Sequence, residues 1–130
     1  MKNDSISENI KSSRFYLNKI VANRIKEEPV KKRYNILQKV YYEILKKEKD
    51  NITIKVITET FVEPDELFHI KLEHIVDYML KKEMSDIEVK ENINKLLSPL
   101  GPEVSYIVSS ITKKMLGVHL VLPPHLKIEK

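Results

Sequence analysis

Between residues 5 and 28 the apolar positions Ile6, Ile10, Leu17, Ile20, Val21 and Ile25 recur at helical spacing, which predicts a first helix. Ser5 and Glu8 open it with the spacing of a capping box, in which hydroxyl and carboxylate satisfy each other's backbone amides. Pro29 closes it, because a proline pushes the preceding residue out of the α region. A second helix, over 31–48, puts Tyr34, Leu37, Tyr41, Ile44 and Leu45 on one face, with Lys39/Glu43 and Glu43/Lys47 paired four apart. The short link between the two predicts an antiparallel helical hairpin.

The pattern changes at residue 51. "NITIKVITETFV" is rich in β-branched residues and alternates Ile52, Ile54 and Val56 with Thr53 and Lys55, as a half-buried strand does. Pro64, Asp65 and Glu66 then carry helix-start chemistry, and a helix to about Glu83 would bury Phe68, Leu72, Ile75, Val76 and Met79. Ser85 and Glu88 form a second capping-box match, with Val89, Ile93, Leu96 and Leu97 on one face. After "SPLGP" comes a helix with Pro102 in its first turn and Val104, Ile107, Val108, Ile111 and Met115 at i, i+3, i+4, i+7 and i+11. Lys113 and Lys114 close that helix, and Gly117 takes the left-handed cap. Val118, Leu120 and Leu122 alternate as a short strand, the expected partner of 52–62. The expected fold is therefore mainly α (α+β): one domain over 1–130, with a basic helical hairpin at 1–49, an α+β core at 50–122 and a tail at 123–130. The core would contain three further helices and a small two-stranded β ladder.

Residues 55–61, then Val62, then "PDEL" have an apolar spacing that resembles the winged helix-turn-helix family. "LSPLG" at 97–101 is similar to the return from a wing, so the resemblance covers 52–101. It implies a winged-helix-like topology with a recognition helix at 65–82, and DNA-binding in transcription regulation. Propensity favours the other reading, strand then helix, since β-branched residues lose rotamer freedom in a helix. The charges also move any phosphate contact elsewhere. Glu63, Asp65, Glu66, Glu73 and Asp77 surround the single Lys71, and carboxylates are repelled by a phosphate backbone.

Charge is uneven along the chain. Residues 1–49 hold 13 Lys and Arg against 6 Asp and Glu, a net +7, whereas residues 50–130 hold 10 against 13, a net −3. Lys11, Arg14, Lys19, Arg24, Lys31, Lys32 and Arg33 interleave with Phe15, Tyr16, Tyr34 and Tyr42; exposed cations contact phosphates and aromatics stack on bases. The competing reading makes these cations an ordinary solvated face. Tyr41 and Tyr42 are neighbours that must face different ways, so one stands outside the core, where an exposed tyrosine suits a partner contact.

Candidate chemistry is thin. The chain has no cysteine, which removes disulfides and thiolate ligands. Glu66 and His69 have the spacing of half a di-iron site without the other half, and His69, Glu73 and Asp77 at i, i+4 and i+8 read as a solvated helix face. Gly101 and Gly117 are the only glycines, too few for a glycine-rich phosphate loop. The expectation is a protein without enzymatic activity, metal or cofactor. With no secretory signal at the start and no window near the ~18 apolar residues of a membrane span, a cytoplasmic location is expected. The leading function is a nucleic-acid-associated regulator, dimeric, touching phosphates through the seven cations above. The alternative is an interaction or assembly subunit that docks on a protein partner and makes no nucleic-acid contact.

Overall fold

The computed structural model describes residues 8–24, 35–63 and 68–117. Four long strands dominate: β1 (Ile10–Arg24), β2 (Asn35–Lys47), β3 (Asn51–Glu63) and β4 (Phe68–Leu80). They form one antiparallel sheet in the order β1-β4-β3-β2. Three sequential strands thus neighbour one another and β1 returns beside the last of them, the Greek-key order. Three helices come after the sheet: α1 (Asp86–Glu91), α2 (Ile93–Leu97) and α3 (Leu100–Leu116).

Side-chain alternation explains the sheet. On β3, Ile52, Ile54, Val56, Thr58, Thr60 and Val62 are buried; on β4, Phe68, Ile70, Leu72, His74, Val76, Tyr78 and Leu80 are. Directly opposed residues share a face, and the register pairs these two sets with each other, so they make one apolar surface that the helices cover. Val89 of α1, Ile93, Leu96 and Leu97 of α2 and Leu100 at the start of α3 share one core cluster with Val40, Ile52, Ile54, Val56 and Val76. Below α3, Val104 and Val108 pack on Val62, Phe68, Ile70 and Leu72. The opposite, odd-numbered face of β3 and β4 is open.

The helical half of the expectation holds only beyond residue 84. The box at Ser85 forms, with the Ser85 hydroxyl accepting from Glu88 N at 3.1 Å and the Glu88 carboxylate accepting from Ser85 N at 3.1 Å. Gly117 takes the left-handed cap at φ 80°. The expected mainly α fold, its N-terminal helical hairpin and its long helix after Pro64 are overturned, because residues 10–24, 35–47 and 68–80 are strands. The 51–62 strand exists, yet it lies between β2 and β4; the tail at 118–122 falls outside the described residues. β1 and β2 share one sheet with β3 and β4. Within the 65–82 segment that a winged-helix topology would make a recognition helix, residues 68–80 form the inner strand β4.

Each misreading has a physical cause. In β1 the register slips at Lys11 and at Asn18. The extra residue at Asn18 brings Leu17 and Ile20, three apart, to the same face, which imitates helical spacing. In β4 the open-face residue Ile75 is also buried, at 8% exposure, so Phe68, Leu72, Ile75, Val76 and Met79 sketch a helix stripe that merges two faces. In β2 the register slips at Leu45, and the expected stripe joins Leu37 and Tyr41 of one face to Ile44 of the other.

Candidate functional site

Among the described residues, seven of the ten exposed large apolar side chains lie on the two outer strands: Phe15, Tyr16, Ile20 and Val21 on β1 and Ile36, Tyr41 and Leu45 on β2. Among the described residues no strand pairs with the outer edge of either. A long edge with free backbone donors and acceptors is a template for another strand. The irregularities at Lys11, Asn18 and Leu45, together with edge lysines, are the usual devices that blunt such edges against indiscriminate pairing.

β2 adds a shaped feature. Its open-face side chain Tyr41 lies opposite Ile57 of β3, and Glu43 lies opposite Lys55. With Tyr42 these residues line a hollow of about 180 Å³. Lys55 Nζ and Glu43 Oε2 stand 3.2 Å apart at its rim, and Lys39 Nζ rests 5.8 Å from the Phe61 ring centroid nearby. Tyr41 is 41% exposed, whereas Tyr42 faces the helices and packs on the core. The two neighbours do face opposite ways, as the sequence implied.

Of the seven expected phosphate contacts, Lys11, Arg14, Lys19 and Arg24 lie on strand β1 and not on a helix. Arg14 lies opposite Asp77, whose Oδ2 accepts from it at 3.0 Å. Lys19 lies opposite Glu73, and Glu73 Oε2 accepts from the Asn18 amide at 2.7 Å. Lys11 occupies an exposed slip of β1, and Arg24 ends that strand opposite Phe68. Lys31, Lys32 and Arg33 lie outside the described residues. The uneven charge of the two halves is interleaved by strand pairing, because the acidic partners sit on β4 and β3.

His69, Glu73 and Asp77 share the open face of β4 at strand spacing. Among the described residues no cluster of three His, Asp or Glu could hold a metal, and no described helix is long and apolar enough to cross a membrane. The Thr53 hydroxyl, donating to Asp77 Oδ1 at 2.7 Å, holds that carboxyl below its usual range against the opposing effect of burial, with Arg14 and Lys46 assisting. On the covered face, burial pushes Tyr78 up to about 12, and its hydroxyl donates to the Leu96 carbonyl. Burial lowers His74, so its 3.9 Å approach to Glu103 is not an ion pair at neutral pH.

The edges are the part of the site that sequence reasoning misses. Periodicity places Ile20, Val21, Tyr41 and Leu45 on helix stripes, Phe15 and Tyr16 read as base-stacking aromatics, and only Tyr41 and Tyr42 are singled out as a partner contact.

No family model and no curated protein matches the chain. Among solved structures, the chain is similar in fold to the SecB-like chaperone of Mycobacterium tuberculosis, in complex with a ChAD peptide from the HigA1 antitoxin. The TM-score is 0.76 at 9% identity, over 93% of this chain and 94% of that one. A Streptococcus agalactiae protein of unknown function aligns at a TM-score of 0.49 and 16% identity, over 85% of this chain and 93% of that one; no conclusion rests on it. The first comparison fixes the fold as SecB-like. It removes the structural basis for the expected regulator of transcription, since the DNA-binding, winged-helix reading needed helices where this fold has strands.

Proposed function

We propose that the protein is a non-enzymatic polypeptide-binding module that takes an extended segment of another protein along the outer edge of β2. The observation that carries this reading is the joint presence of an unpaired strand edge and the Tyr41 hollow. In strand addition, main-chain hydrogen bonds supply affinity and side-chain pockets supply specificity. β2 offers both within a few residues. The fold shared with a peptide-bound chaperone supports the reading by analogy, which raises its weight without assigning a site. A homodimer, expected from the sequence, fits the same picture: Phe15, Tyr16, Ile20 and Val21 of β1 are the surface a second copy would bury.

The test is fluorescence anisotropy with a labelled, permanently unfolded polypeptide, such as a reduced and carboxymethylated protein. Saturable binding is expected for the unfolded form and not for its native counterpart. Tyr41→Ala should weaken it about tenfold, as loss of an interface anchor does, with an unchanged melting temperature. Equal binding of native and unfolded forms, or none at about a hundred micromolar, would end the proposal.

A further inference from the structure

A second feature lies on the open face, one row beyond the Glu43–Lys55 pair of the Tyr41 hollow, and is independent of the polypeptide reading. The register lines up Arg14, Asp77, Thr53 and Lys46 as one row crossing all four strands. These side chains, with Ser12 and Asn51, line a concavity of about 370 Å³. That is the low end of the size of small-molecule sites.

Charge identifies what the concavity suits. Two cations face one carboxylate, a formal net of +1 among the lining residues. The carboxylate is already engaged: Asp77 Oδ2 accepts from Arg14 and Oδ1 from Thr53. Arg14 uses one amino group in that contact while its side chain is 76% exposed, and a guanidinium carries five donors in a fork that fits oxyanions. Lys46 meets Glu48 at 3.4 Å, with both side chains more than half exposed. Exposed pairs of this kind contribute little and are readily displaced. The hydroxyls of Ser12 and Thr53 and the amide of Asn51 complete a wall of neutral polar groups.

We propose that this concavity binds an oxyanion carried on a small organic body, held by Arg14 from β1 and Lys46 from β2, with Asp77 acting as the positioning residue that fixes the Arg14 guanidinium. Carboxylate and phosphate share this chemistry, and the probes separate them. N-acetyl-glutamate amide and N-acetyl-O-phosphoserine amide would each be titrated into the full chain, with backbone amide shifts at Ser12, Asn51 and Thr53 followed by NMR. At least one probe should saturate, shifting these three together. Arg14→Gln should weaken binding about fivefold or more, Glu48→Gln should strengthen it, and Lys90→Gln on α1 should leave it unchanged. Half-molar salt should abolish it, since exposed charges are then screened within a few ångströms. Non-saturating shifts for both probes, or equal losses in Arg14→Gln and Lys90→Gln, would overturn the assignment.

Discussion

β4 and β1 lie side by side in one sheet and are built on opposite plans. Every covered-face side chain of β4, from Phe68 to Leu80, is buried, and its pairing with β3 runs without a slip. β1 slips twice against β4 and leaves Phe15, Tyr16, Ile20 and Val21 exposed. Leu17 and Ala22 of β1 pack against the core beneath α3 but stay only partly buried. Regular alternation is therefore found where apolar surface must be removed from water, and irregularity where another chain could attach. An inner strand specifies the fold, while an outer strand keeps surface available for binding.

The largest test of this contrast is Phe68→Ala on β4 against Ile20→Ala on β1. Phe68 is fully buried under α3, so its truncation should lose about 3–5 kcal/mol, by removed burial and by the cavity left behind. Ile20 is 47% exposed, and its truncation should lose less than about 1 kcal/mol. Denaturant titration of both variants decides it. Equal losses would mean that β1 is covered in solution by something that protects Ile20, which itself would point to a bound partner or a second copy.

The same contrast governs how much can be read from the sequence. β3 is legible because Ile52, Ile54 and Val56 alternate with polar residues, and the helices after Ser85 because capping box, periodicity and Gly117 agree. β4 is legible in principle: from Phe68 to Leu80 every second residue is apolar except His74, a match to the strand template better than the helical one. It reads as a helix because the buried open-face Ile75 supplies a false i+7 position. β1 is not legible in the same way, since the slip at Asn18 depends on pairing with β4 and leaves no local mark. Tyr41 and Tyr42 can be named as facing apart, yet which of them faces outward emerges only from the strand register. The Arg14 row crosses four strands, and no reading along the chain assembles it.

His74 offers the next test, because it is a basic group buried inside the covered face of β4. Its imidazole is fully buried between Leu17 of β1 and Val56 of β3, both nitrogens lack a hydrogen-bond partner, and Glu103 of α3 stands 3.9 Å away. Burial lowers its pKa, so the unfolded chain binds the proton more readily than the folded one. The stabilising contribution is complete above the unfolded value near 6.5 and is lost as pH falls below it. The slope there should approach about 1.4 kcal/mol per pH unit, and His74→Leu should flatten it. A slope that survives the substitution would place the acid sensitivity elsewhere. A slope of opposite sign would mean that Glu103 closes on a protonated His74 and outweighs desolvation.

The smallest effect probes whether the inner strands serve stability as fully as the contrast requires. Thr58 of β3 is fully buried on the covered face, and its hydroxyl has no hydrogen-bond partner. A hydroxyl stripped of water and left unpaired is unfavourable, and an apolar group of the same shape removes that penalty. Thr58→Val should therefore raise stability by about 1 kcal/mol. Thr112→Val is the matched comparison: that hydroxyl is also buried but donates to the Val108 carbonyl at 2.9 Å, so its loss should bring no gain. Chemical denaturation of the two variants at pH 7.5, above the His74 transition, keeps the two effects apart. A gain at Thr58 alone would identify a polar flaw in an inner strand, tolerated because the surrounding burial outweighs it. A loss at Thr58 would mean that its hydroxyl is satisfied in solution by an internal water, and that the covered face is wetter than its apolar neighbours imply.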